Sequence, residues 1–163
     1  MLLGVSCLQE DVPEPEERVR VGDVLPTFSV KLDDGGILSS SQLNGKVGVI
    51  VFFHTECPDC QKELPVIQSL YDRYKGNDSV VIVCISREQG VAEVKNYWSG
   101  NGLTVPNSAQ NDRSVYELFC TTGIPRTYIT GPDLKIRAIF TDDPLATFDD
   151  LKQVIEDCLP EGN

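Results

Sequence analysis

Basic residues are scarce in this sequence, and that excludes several functions. Against 25 aspartates and glutamates stand 14 lysines and arginines, a formal net charge of −11. A nucleic-acid partner needs a basic face, and an anionic membrane surface attracts basic segments rather than acidic ones. Long apolar runs are missing too: nothing approaches the roughly 20 apolar residues of a membrane span. Histidine occurs once, at His54. The six cysteines are Cys7, Cys57, Cys60, Cys84, Cys120 and Cys158. They are too few for a disulfide scaffold at this length, and only Cys57 and Cys60 are closely spaced. A structural zinc takes four ligands, usually as two close pairs. With no second pair, no metal site is expected.

What is present suits one domain and a tail. An apolar content of 40% supplies a sizeable core. Residues 1–20 are expected to form a tether and residues 21–163 the domain. Leu2-Leu3-Gly4-Val5-Ser6-Cys7 resembles the end of a bacterial lipoprotein signal, with Gly4 where leucine is usual and the basic region absent. Cys7 is therefore a lipidation candidate, the one expected route to a membrane. The competing reading is an unmodified terminal cysteine. Residues 9–17 carry prolines and acids without apolar periodicity, as a linker does.

Alternation at Phe28, Val30 and Leu32, the Asp33-Asp34-Gly35-Gly36 turn and Ile37-Leu38 predict a β-hairpin. Val47–Phe53 reads as a strand buried on both faces. Leu64, Ile67, Tyr71 and Tyr74 recur at helical spacing, with a kink expected at Pro65. A strand over Val80–Ile85, a helix from Val91 to Gly100, and an ambiguous stretch from Leu103 to Ala109 follow. Asp112 is a candidate cap for a short helix carrying Val115, Leu118 and Phe119. Strands over Arg126–Thr130 and Lys135–Phe140 flank a Gly131-Pro132-Asp133 turn. Thr147 and Asp150 form a capping-box pattern for a final helix. Strands alternating with helices make an α/β protein with a central mixed sheet flanked by helices and an N-terminal β-hairpin extension, parallel in the middle and closed by an antiparallel hairpin.

The chemistry lies in Cys57-Pro58-Asp59-Cys60, where the Val47–Phe53 strand gives way to a helix. A Cys-x-x-Cys pair on a βαβ pattern reads as a thioredoxin-like redox site. The first thiol sits near the helix N-terminus, where the macrodipole favours an anion; the second is one turn in. Gly123-Ile124-Pro125 immediately precedes the Arg126–Thr130 strand, the place where thioredoxin-like folds carry a cis-proline facing the dithiol.

From Val21 to Leu159 the chain resembles the thioredoxin superfamily, and within it the TlpA/ResA-type extracytoplasmic thiol–disulfide oxidoreductases. The residues that carry the resemblance are Gly22-Asp23-Val24-Leu25-Pro26-Thr27-Phe28, Leu43-x-Gly45-Lys46, the Cys57–Cys60 motif, Lys62-Glu63-Leu64-Pro65 and Ile124-Pro125. The resemblance implies a thioredoxin-like fold, Cys57 as attacking thiol, Cys60 as resolving thiol, and Glu63 as the active-site glutamate. Glu63, three residues past Cys60, shares its helix face and is a candidate proton acceptor for it. The expected redox group is the Cys57–Cys60 disulfide itself, with no other cofactor. The expected partners are a disulfide-containing protein substrate and an upstream thiol electron donor, on the periplasmic side of a bacterial envelope. Three positions depart from the family: Glu56 where tryptophan is usual, Val51 where thioredoxins bury an aspartate, and Arg126 where threonine is common.

Glu56, Asp59 and Glu63 put negative charge around the dithiol, which disfavours a thiolate and makes the couple more reducing. Arg126 opposes this if its guanidinium reaches the site. A reductant is the expected direction. Cys84 and Cys158 read as core residues, Cys120 as a core residue or a third redox thiol, and His54 as structural. Two rivals stand beside the oxidoreductase. A peroxiredoxin-like peroxidase needs Pro-x-x-x-Thr-x-x-Cys, and here Ile50 and a misplaced Thr55 break that pattern. The other rival is a non-enzymatic thioredoxin-fold binding module or a copper-delivery protein; copper-delivery proteins place a histidine far downstream, and none follows Cys60.

Overall fold

The structure is a computed structural model and describes residues 16–161; Cys7 and most of the expected tether lie outside the described residues. The two N-terminal strands, β1 (Ser29–Lys31) and β2 (Ile37–Ser39), pair antiparallel as the expected hairpin. Then come β3 (Val47–Phe53), α1 (Pro58–Tyr74), β4 (Val80–Ser86), α2 (Val91–Gly100), β5 (Asn107–Ser108), β6 (Arg126–Thr130), β7 (Ile136–Phe140) and α3 (Phe148–Cys158). The main sheet runs β5-β4-β3-β6-β7. β3, β4 and β5 are parallel; β6 and β7 are antiparallel to their neighbours.

Every residue of β3 is buried, so the expectation of a strand covered on both faces holds. Val47, Val49, Val51 and Phe53 face one core with α1, α2 and α3, while Ile50 and Phe52 face a second core under the hairpin and the 115–120 region. Period-2 alternation of side chains explains the split. In the second core Phe52 meets Tyr116, Phe119 and Tyr128, with ring centroids 5.5, 5.0 and 6.0 Å away. In the first, Trp98 packs tilted against Phe53, ring centroids 4.9 Å apart, and donates its indole N–H to the Val105 carbonyl at 2.8 Å.

Local signals placed most boundaries. Thr147 Oγ1 accepts from the Asp150 N–H and Asp150 returns a bond to the Thr147 N–H, closing the capping box of α3. α1 continues through Pro65 to Tyr74. Asp112 caps differently from expectation: it accepts from the Ser114 N–H and hydroxyl, a turn ahead of the short 3-10 helix Tyr116–Leu118, which has no side-chain cap. The Leu103–Ala109 stretch contributes β5, two residues long, which pairs with Cys84 and Ile85 of β4. The last residues expected in the tether contact the domain: Val19 is buried, and Glu17 bridges antiparallel to Cys120.

Phe52→Ala opens a cavity within this aromatic cluster and is expected to cost about 3–5 kcal/mol, read as a lowered urea midpoint with unchanged m-value.

Candidate active site

The end of β3 fixes the site. The chain leaves the sheet at Phe53 and turns at His54, whose carbonyl accepts from the Cys57 N–H at 3.1 Å and whose Nδ1 accepts from the Glu56 N–H at 3.2 Å. Cys57 is the N-cap of α1, followed by Pro58 at the first helical position. Proline suits that position because its missing N–H would have no helical partner. Cys57 Sγ accepts from the Cys60 N–H at 3.3 Å, so the sulfur occupies the place of a capping oxygen.

The two thiols differ in environment. Cys57 is half-buried; Cys60 is fully buried on the α1 face that also carries Leu64 and Ile67. Both are free thiols. Burial, and then the hydrogen bond with Cys57, push the Cys60 thiol far above its ordinary range. Cys57 is the sulfur an incoming disulfide can reach, and Cys60 waits behind it as a thiol. The Cys57 thiol donates to the Ile124 carbonyl at 3.8 Å. The Ile124–Pro125 peptide is cis, and it faces the dithiol where the sequence expects it.

Glu63 is buried on the same face of α1, with 3% of its surface exposed. Its Oε1 accepts from the Thr127 hydroxyl at 3.5 Å, while Oε2 is buried with no partner among the described residues. Burial raises its carboxyl to about 7, so at neutral pH it can either hold or take a proton. Its charge also bears on Cys60, pushing that thiol further up.

The acidic surround is uneven. Glu56 is exposed, but Asp59 pairs with Lys62 at 3.7 Å and Glu63 is only partly ionised at neutral pH. Arg126 is buried and directed away from the sulfurs: its Nε donates to the Thr122 carbonyl at 3.3 Å and its Nη1 pairs with Glu17.

Several positioning residues were invisible in the sequence. Gln89 accepts from the Thr55 N–H at 2.9 Å and donates to its hydroxyl at 2.5 Å, while Gln61 donates to the Thr55 carbonyl at 2.8 Å. Together they clamp the turn before Cys57. Tyr116 donates to the Gly123 carbonyl at 2.7 Å and steadies the opposite loop. None carries a motif, because glutamine and tyrosine have no signature until the fold sets them against these backbone groups. Cys84 is buried, Cys158 is half-buried against the first core, and Cys120 is buried with its thiol donating to the Thr122 carbonyl at 3.1 Å. No trio of His, Cys, Asp or Glu side chains groups as metal ligands among the described residues.

A five-stranded mixed sheet, a dithiol capping the helix after its central strand, and a cis-proline loop opposite define a thioredoxin-fold redox protein. Residues 21–139 match the AhpC/TSA family, and the chain belongs to it. It is similar to the thiol-disulfide oxidoreductase ResA of Oceanobacillus iheyensis, with 28% identity over 98% of this chain and 83% of that protein. The ResA of Bacillus subtilis is 26% identical over 77% and 70% of the two chains. Among solved structures, a candidate protein disulfide isomerase from Bacteroides thetaiotaomicron superposes with a TM-score of 0.82 at 27% identity, covering 88% of this chain and 92% of that one. StoA from Bacillus subtilis superposes with a TM-score of 0.67 at 26% identity over 80% and 97%.

Glu63 generates a pH prediction. Its folded-state value of about 7 lies above its ordinary 4.5, so the folded chain holds the extra proton between those values and stability falls as pH rises through them. Glu63→Gln removes this loss. The variant is expected to melt on the order of 5 °C above the parent at pH 8, with the gap closing as pH falls toward 4.5. Thermal melts across that range check it.

Proposed function

We propose that this protein is a thiol–disulfide oxidoreductase that reduces disulfides in extracytoplasmic proteins. The observation that carries this is the asymmetric dithiol: an accessible Cys57 at the N-cap of α1 and a buried, protonated Cys60 behind it. The similarity to the ResA proteins supports the same reading.

In the proposed cycle the Cys57 sulfur, as thiolate, attacks one sulfur of a substrate disulfide. The substrate bond breaks, a mixed disulfide forms, and the leaving substrate sulfur takes a proton. Cys60 then gives up its proton, with Glu63 as acceptor, and attacks the Cys57 sulfur. The second substrate thiol leaves, and the Cys57–Cys60 disulfide closes. An upstream thiol donor returns two electrons and two protons. The disulfide is the only redox group the cycle needs. Ile124 and the cis-proline Pro125 lie opposite Cys57, and Pro58 and Asp59 open α1 beside it.

The direction follows from charge. Among the described residues, Lys62 is paired with Asp59 and Arg126 with Glu17, while Glu56 and Glu63 lie near the sulfurs. Negative charge beside the sulfurs disfavours a thiolate and makes the reduced pair the better electron donor. The substrate lies outside the cytoplasm, and Cys7, carrying a lipid, would tether the domain to the membrane. No helix among the described residues is long and apolar enough to cross a membrane.

Cys57→Ser is expected to abolish reduction of a protein disulfide such as insulin. Cys60→Ser is expected to accumulate a mixed disulfide at Cys57, recoverable from its host by non-reducing electrophoresis and mass spectrometry. The redox potential should lie well below about −120 mV, the value of a strong oxidant; equilibration with glutathione buffers measures it, and a value near that figure overturns the direction.

A further inference from the structure

The loop opposite Cys57, residues 121–125, precedes β6 and is held from an unexpected side. Glu16 donates its N–H to Thr121 Oγ1 at 3.0 Å and accepts from the Thr121 N–H at 3.1 Å. Arg18 donates its N–H to the Phe119 carbonyl at 2.8 Å, which makes Glu17 and Cys120 an antiparallel bridge. At the centre of this strap the Glu17 carboxylate pairs with Arg126 and accepts from the Tyr128 hydroxyl at 3.0 and 2.9 Å. Arg126 is 5% exposed, and its Nε reaches back to the Thr122 carbonyl. Its guanidinium also lies under Gly123, which has φ +97°, so that a Cβ there would meet Nη2 at 3.2 Å. The loop then ends at the Ile124 carbonyl, 3.8 Å from Cys57 Sγ.

We propose that Glu17 is a positioning residue for the exchange reaction: through Arg126 it sets the 121–125 loop at the height over Cys57 that a protein disulfide requires. The inference rests on the oxidoreductase reading above. A buried guanidinium that loses its carboxylate is left uncompensated and shifts toward water. Arg126 would take with it the Thr122 carbonyl and the space under Gly123. A small disulfide needs only the Cys57 sulfur, whereas a protein disulfide must also fit its backbone against the loop. The segment between the tether and the domain is thereby part of the substrate site.

The test uses the full chain, with insulin and hydroxyethyl disulfide as substrates. Glu17→Gln is expected to lower the ratio of kcat/KM for insulin to that for hydroxyethyl disulfide by about three- to tenfold, carried by KM. Glu17→Asp, which keeps the charge, should recover at least half of that loss. Amide exchange at Thr121 should accelerate by about tenfold while β3 amides hold their protection. A ratio within about twofold of the parent, or equal losses on both substrates with faster exchange in β3, overturns the inference. Should Glu17→Gln not fold, Thr121→Val, which removes only the acceptor for the Glu16 N–H, takes its place: a lowered ratio supports the inference and an unchanged one overturns it. A parent chain that turns over neither disulfide overturns the oxidoreductase reading instead.

Discussion

Strand β3 is hydrogen-bonded on both edges and covered on both faces, and the site hangs from its C-terminal end. Its register with β6 places Phe52 opposite Arg126, and its register with β4 places Phe53 opposite Ser86. A slip of one residue would exchange Ile50 and Phe52 with Val49, Val51 and Phe53 between two differently shaped cores, so the register is tightly specified. Because Arg126 is level with Phe52, the residues just before it, Ile124 and Pro125, stand beside the turn that carries Cys57. Two segments far apart in sequence thus form one site because a central strand cannot shift.

Around that frame the chain accepts a cost in stability near the sulfurs. Glu63 is buried with one oxygen unpartnered, on a helix face otherwise filled by Leu64, Ile67 and Leu70. An apolar residue there would not carry the desolvation cost of a carboxylate. A carboxyl raised to about 7 by burial can hold or release a proton at neutral pH, which would suit the proton acceptor proposed for Cys60. The opposite loop is handled differently: its buried charge, Arg126, is compensated by Glu17 and Tyr128.

Much of this was legible along the chain. The all-buried pattern of Val47–Phe53 announced a central strand, Thr147 and Asp150 a helix start, and Cys57-Pro58-Asp59-Cys60 a dithiol on a helix N-terminus, because each signal is local and has a local physical cause. The acidic surround was legible as composition but not as electrostatics. Sequence spacing cannot show that Glu63 is buried or that Arg126 turns from the sulfurs toward Glu17. Gln89 and Tyr116 were missed for the same reason: glutamine and tyrosine carry no signature until the fold brings them to Thr55 and Gly123.

The sequence by itself determined the α/β class, the order of strands and helices, and the reacting sulfurs, since hydrophobic period, capping and Cys-x-x-Cys spacing act over a few residues. Tertiary structure decided where the Glu63 proton sits in energy and what the Arg126 charge does. Those depend on burial and on partners far apart along the chain, and Glu17, on a segment that composition alone reads as linker, became the partner of a buried arginine only when residues 16–18 closed against residues 119–121.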